Sequence, residues 1–317
     1  MSNTTATGET PKIAVLLMAY GTPRRTDEIL PYYTDIRGNR APTPEQLADL
    51  VARYEAIGGA SPLAARTEAQ RIALGRELDT IAPDQFHVQL GFKHAHPMIE
   101  EAVADLAELG FTQIIALVLA PHFSSYSVGQ YLGRATDAAT RLGLTVTRIT
   151  SWALEPAFVN FIANDLHAKL AAVPSMADRT RVLFTAHSLP QRIIDGDDPY
   201  PTELRSTAQA VANRLGLTEG SQWSIAWQSA GRTPEPWIGP DILAVIDDIA
   251  CQQDCDGVVV SACGFVADHL EVLYDLDIEA RHHAERLGLA FARTECVNDD
   301  GAVMAALARR VVAAVAK

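Results

Sequence analysis

Four loops in the 317-residue chain carry histidine: GFKHAHP with His94 and His96, APHFSSYS with His122, TAHSLP with His187, and GFVADHLE with His269 between Asp268 and Glu271. Histidine accounts for only 9 residues, so its concentration in such loops points to proton transfer or metal ligation, although any single one reads more simply as a hydrogen-bonded loop residue. A neutral imidazole, with an ordinary pKa near 6.5, accepts a proton and offers nitrogen to a divalent metal. The acids Asp268, Glu271, Asp275 and Glu279 are spaced by three or four residues, which on a helix lines their carboxylates along one face. No Lys or Arg lies within 268–280 to relieve their repulsion, so a cation is the missing partner; a solvated acidic face is the plainer alternative. His269 is expected to point away from this row and to be structural.

The common α/β chemistries lack their signatures. Neither GxxxxGK[ST] nor a GxGxxG after a strand occurs, so no glycine-rich phosphate cradle is present. GxSxG is missing, and with it the nucleophile elbow of a hydrolase; the CxxC and HExxH spacings of zinc sites are missing too.

These residues need strands to carry them. Short apolar runs predict strands at 13–18, 88–92, 114–119, 146–149, 182–185, 224–227, 258–261 and 290–292, continuous as buried parallel strands are. Helical patterns at 97–109, 129–142, 201–215, 242–251 and 267–287 lie between them, most closed by glycine. Alternation of this kind predicts an α/β protein with parallel sheets, and ligands of such sheets sit beyond the carboxyl ends of the strands, where the histidine loops fall. The order of elements repeats once, without a shared residue motif. Two Rossmann-like lobes are therefore expected, at 12–165 and 166–302 after a flexible tail at 1–11, with a linker-like AAVPSMADR near the division. One large doubly wound sheet is the alternative. A final Ala/Val-rich helix at 303–317 must pack on something, and a return to the first lobe is expected.

A hydrophobic share of 48% supports a large core, and 26 Lys and Arg against 39 Asp and Glu give a net charge of -13. A field of that sign disfavours nucleic acid and anionic lipid surfaces. The N-terminus lacks a signal-peptide pattern and no run approaches the roughly 20 apolar residues of a membrane span, so a cytoplasmic protein is expected.

The segments MAYGTP (18–23), RYEAIGGASPL (53–63), APHFSSYSVGQY (120–131), TAHSLP (185–190), GDDPYP (196–201), WQSAGRTPEPWIGP (227–240) and GFVADHLEVLYDLDIEA (264–280) resemble the ferrochelatases, and among them the Gram-positive-type branch acting on coproporphyrin. The resemblance runs from about residue 12 to the final helix. It implies two lobes around a porphyrin cleft and a lyase that inserts Fe²⁺ with release of two protons in heme biosynthesis. It implies His187 and Glu271 as the catalytic metal-site pair and Tyr20 as a metal-facing group on the opposite side of the ring. Arg37, Arg53, Tyr54, Ser61 and Tyr131 would hold the macrocycle and its propionates, and Asp275 and Glu279 would continue a cation path. MAYGTP in place of NLGTP implies coproporphyrin III as substrate.

Protoporphyrin IX as substrate, a cobalt chelatase of the same fold, and a non-catalytic tetrapyrrole carrier are the alternatives. Some ferrochelatases hold a [2Fe–2S] cluster, but Cys255 and Cys263 flank one strand, so a cluster on Cys251, Cys255, Cys263 and Cys296 is not expected. A monomer without stable membrane association, meeting its pathway neighbours transiently, completes the expectation.

Overall fold

The computed structural model describes residues 13–172, 179–231 and 233–315. The expected tail at 1–11 and the core of the linker at 173–178 lie outside the described residues. Strands β1 (Ile13–Ala19), β2 (Phe86–Phe92), β3 (Gln113–Val118) and β4 (Thr145–Ile149) form one sheet in the order β2-β1-β3-β4. Strands β5 (Thr180–His187), β6 (Trp223–Gln228), β7 (Gly257–Ser261) and β8 (Ala290–Arg293) form a second in the equivalent order β6-β5-β7-β8. Every pairing among them is parallel. Two separate sheets replace the alternative of one large sheet, and the expected strands differ from the observed ones only at their ends.

Alternation along the central strands explains how the halves join. Val15, Leu17 and Ala19 of β1 share one core with Val182, Phe184 and Ala186 of β5, whereas Ala14, Leu16 and Met18 face helices α4 (Ile99–Glu108) and α5 (Val128–Arg141). With both faces covered, β1 is apolar throughout, as parallel strands buried on both sides tend to be. Helix α6 (Pro156–Ala171) packs on α8 (Tyr200–Leu215), joining the two sheets through that shared core.

Three helices fill the crossover between β1 and β2: α1 (Ile29–Ile36), α2 (Pro44–Ala56) and α3 (Leu63–Ile81). A capping box between Thr43 and Gln46, with Pro44 at the first helical position, starts α2. The rest of the second half adds α7 (Gln191–Ile194), α9 (Ile242–Gln252) and α10 (Arg281–Arg286). The last helix, α11 (Gly301–Val315), packs on α3 and also meets β3, β4 and α6.

The expected α-helix at 267–287 is different in kind. Helical structure begins only at Leu270, and Val272–Ala280 is a π-helix that runs into α10. Asp268 and His269 therefore precede the helix. Asp268 is held off it by the Asn298 amide at 2.9 Å and the Arg293 guanidinium at 3.5 Å, so it does not belong to the acidic row.

Candidate active site

His187 is the last residue of β5, and Tyr20 directly follows β1; each strand lies second in its sheet, where neighbouring connections diverge and ligands gather. The β7–π-helix loop brings Glu271 to His187. Gly264 makes this approach feasible: its N–H donates to Thr185 O at 2.9 Å, and a Cβ there would collide with Ala186. The His187 Nδ1–H donates to the Ser188 carbonyl, and its Nε2 lies 3.5 Å from Glu271 Oε1. The other carboxylate oxygen, Oε2, lies 3.5 Å from His269 Nε2, while His269 Nδ1 meets Ala267 O at 2.9 Å. His269, expected to point away, instead helps to bracket Glu271.

Desolvation alone would lower the His187 pKa, but the Glu271 carboxylate, the Ser188 carbonyl and Asp275 more than offset it and raise it to about 9. Glu271 shows the converse: desolvation would raise it, and the two histidines hold it well below the carboxylate range. About a third of each side chain stays open, 32% and 33%. Glu271 thus favours the protonated form of His187, where residue type alone suggested a neutral imidazole.

Tyr20 is 40% exposed, its ring 4.6 Å from that of His94 and its carbonyl accepting the His94 N–H at 3.0 Å. Desolvation, then the Glu271 charge, hold its phenol well above its ordinary pKa, so it stays neutral. Lys93, which sequence reasoning did not single out, lies 6.0 Å from the Tyr20 ring and 5.3 Å from that of Tyr131. Its ammonium donates to Gln130 Oε1 at 2.6 Å, and burial, with Arg134 nearby, lowers its pKa to about 8. The GFKHAHP motif was found through its histidines; the signal for Lys93 was its place beside them.

The expected ring-holding residues divide. Arg37 lies at the end of α1, with Nε donating to Arg40 O at 3.3 Å. Tyr54 is only 2% exposed, packed with Ile29 and Leu270, its hydroxyl 3.3 Å from Thr22 Oγ1. Tyr131 is buried beneath Lys93, and buried Ser61 accepts from the Leu63 N–H at the start of α3 at 3.2 Å. Arg53 is committed elsewhere: it pairs with Asp275 and stacks on Tyr274 at 4.5 Å. In this structure Arg37 alone of the five is neither buried nor held by a carboxylate.

The acidic row is relieved from a distance. Asp275 binds Arg53 and accepts from Ser229 Oγ, so the cations missing from 268–280 come from α2 and β8. Burial still raises the Asp275 pKa to about 6, against the opposing pull of Arg53. Glu279 is exposed at the far end of the π-helix. Replacing Arg53 with leucine is expected to cost about 3 kcal/mol at pH 8, the usual scale for stranding one partner of a buried ion pair. Because Asp275 already has a raised pKa, protonation relieves the stranded charge, and the penalty should shrink at pH 5. Urea unfolding of both proteins at the two pH values checks this; an equal deficit at both would refute it.

Cys255 precedes β7 and Cys263 follows it, Cys251 is exposed on α9, and Cys296 is buried near Arg293.

Two four-stranded parallel sheets of equivalent strand order, each flanked by helices, form a two-lobed chelatase-like fold. The fold is similar to that of the sirohydrochlorin chelatase SirB from Bacillus subtilis subspecies spizizenii in complex with cobalt, at a TM-score of 0.55, 11% identity, and coverage of 96% of this chain and 95% of that one. Residues 12–315 match the ferrochelatase family, and the chain belongs to it. It is 44% identical to a ferrochelatase of Herpetosiphon aurantiacus over 92% of this chain and 95% of the relative. It is also 44% identical to a coproporphyrin III ferrochelatase of Halalkalibacterium halodurans, covering 90% and 92%, and 42% identical to that of Bacillus subtilis, covering 95% and 97%. The protein is a metal chelatase, an enzyme of the lyase class.

Proposed function

We propose that this enzyme inserts ferrous iron into coproporphyrin III, giving iron coproporphyrin and two protons, as a step of heme biosynthesis. The observation that carries the reading is the His187–Glu271 pair at the end of β5, with Tyr20 at the end of the corresponding strand of the other half. Nitrogen and oxygen donors suit Fe²⁺, and a hydrated dication must shed water and displace protons to bind. Iron approaching Glu271 weakens the carboxylate's hold on the His187 proton. The imidazole then releases that proton to solvent, to which about a third of the side chain is open, and becomes free to ligate the metal or to take a pyrrole proton. Tyr20, kept neutral, offers a phenol oxygen from the opposite side of the ring.

The remaining assignments follow from the same reading. Arg37 is poised to meet a propionate. Arg53, Tyr54, Ser61 and Tyr131 would reach the macrocycle only after the contacts described above rearrange. Asp275 and Glu279 extend the path for hydrated iron along the π-helix. The lobes are read as 12–165 and 166–302, with the last helix bridging back, and the enzyme as a cytoplasmic monomer without an iron–sulfur cluster, passing substrate and product to neighbouring enzymes transiently. Among the described residues no helix is long and apolar enough to cross a membrane.

The test compares both porphyrins side by side with Fe²⁺ under anaerobic conditions. A higher kcat/KM for coproporphyrin III than for protoporphyrin IX is expected, because four carboxylates offer more charge-assisted hydrogen bonds, each worth roughly 1.5–3 kcal/mol. Equal or reversed efficiencies would overturn the substrate while leaving the chelatase class intact.

A further inference from the structure

His187 sits in one half of the molecule and Tyr20 in the other, so the cleft between them depends on whatever fixes the halves relative to each other. A route of hydrogen bonds, carried between Leu119 and Ser124 by the chain itself, connects the two strands. In the first half, the Leu119 N–H donates to Met18 O at 2.8 Å, tying the start of the β3 loop to the strand that ends at Tyr20. That loop then meets the second half at Asp198, just before α8. The Asp198 Oδ2 accepts from the Ser125 N–H and the Ser125 hydroxyl, both at 2.7 Å, and from the Ser124 hydroxyl at 3.2 Å. Its Oδ1 accepts from the Tyr200 N–H at 3.1 Å, and the Tyr200 hydroxyl donates to the His187 carbonyl at 3.1 Å.

The rest of α8 strengthens the same junction one turn at a time. Glu203 accepts from the Phe123 N–H at 2.7 Å and from Ser151 Oγ at 2.8 Å; Thr207 meets His122 at 2.9 Å. Asp198, Tyr200, Glu203 and Thr207 thus present one face of the helix start to the first half. Of these, Tyr200 alone also touches the backbone of His187. Its ring is wedged 5.7 Å from Trp227 and 6.3 Å from His122, and burial raises its phenol pKa, so the hydroxyl remains a donor.

We infer that Tyr200, anchored through Asp198 to the Ser124–Ser125 loop, is a positioning residue that sets His187 at its distance from the Tyr20 side of the cleft. The inference rests on the proposed role of His187 at the metal. Iron and ring nitrogens must meet within a few tenths of an ångström, and a small displacement of a reacting group costs rate far more than it costs binding.

Tyr200→Phe removes only the donated hydrogen bond, and Thr207→Val removes the buried hydroxyl that bonds His122 and the Ala153 carbonyl from the same helix without reaching His187. Both variants should lower the unfolding midpoint by a few degrees, Thr207→Val at least as far as Tyr200→Phe because its hydroxyl makes more bonds. Tyr200→Phe should lower kcat about tenfold with porphyrin KM within twofold; Thr207→Val should leave kcat within twofold of the parent. Ser125→Ala, at an exposed position where folding is not at stake, should lower kcat in the same direction by a smaller factor. A Tyr200→Phe enzyme with kcat within twofold of the parent overturns the inference, as does an equal loss in Thr207→Val. Parent enzyme and His187→Ala are assayed alongside: failure of the parent to insert iron, or full turnover in His187→Ala, would instead sink the functional reading beneath it.

Discussion

Iron insertion is expected to fall about 100- to 10,000-fold when His187 is replaced by alanine, the range over which one well-placed proton acceptor acts. The loss should appear in kcat, because the imidazole meets the metal and the pyrrole protons and not the rim of the ring. Fluorescence quenching by the porphyrin should give a dissociation constant within a fewfold of the parent. The structure adds a reason for the size of the effect. Removing the imidazole leaves Glu271 with His269 alone, so the site loses a ligand, a proton acceptor and part of its charge balance together. Stopped-flow metallation at saturating porphyrin measures it directly, and a variant retaining more than a tenth of parental kcat would remove His187 from the reaction.

Glu271→Gln keeps the shape of the side chain and deletes its charge. In the parent, desolvation lowers the His187 pKa, and Glu271 is the largest of the groups that outweigh it and raise it to about 9, ahead of the Ser188 carbonyl and Asp275. With that charge gone, desolvation prevails, and the His187 pKa should drop below its ordinary value near 6.5. An NMR titration of the ring protons would show the move. Metal affinity of the porphyrin-free protein should weaken by about 100-fold or more, since loss of a supporting hydrogen bond to a ligand already costs 10- to 100-fold.

Stability carries the same signature. The raised His187 pKa gives the parent a contribution that is complete below the ordinary histidine range and is lost as pH climbs through about 9. The depressed Glu271 pKa gives one that is present above the ordinary carboxylate range and is lost only as pH falls well below it. Parent and variant should therefore differ most between about pH 5 and 6, and the gap should narrow as pH rises through the ordinary histidine value and close above about 9. A His187 titration that stays near 9 in the variant would show that something other than Glu271 holds the proton.

Strand positions were legible because parallel strands covered on both faces are continuous apolar runs, and IAVLLMA and GVVVS admit little else. Their carboxyl ends, and so Tyr20 and His187, followed directly. The helices between Ile29 and Ile81 were less visible. In α3 the buried positions are Thr67, Gln70, Leu74 and Leu78, two of them polar, and Gln70 spends its amide on the carbonyls of Val266 and Asn298 in the other half. A pattern of apolar residues cannot announce a helix whose buried face is partly polar.

By itself the sequence determined the alternation of strand and helix, the loops in which the histidines fall and the family to which the motifs belong, because these rest on residue type and on spacings of a few positions. The tertiary structure alone decided the partners. Arg53 reaches Asp275 across 222 residues, Asp268 leaves the acidic row for Arg293 and Asn298, and His269 turns toward Glu271. It also decided that His187 faces a carboxylate that favours its charged form. That charge depends on a carboxylate 84 positions away in the chain and 3.5 Å away in space, and electrostatic energy falls off with distance through the folded molecule, not along the sequence.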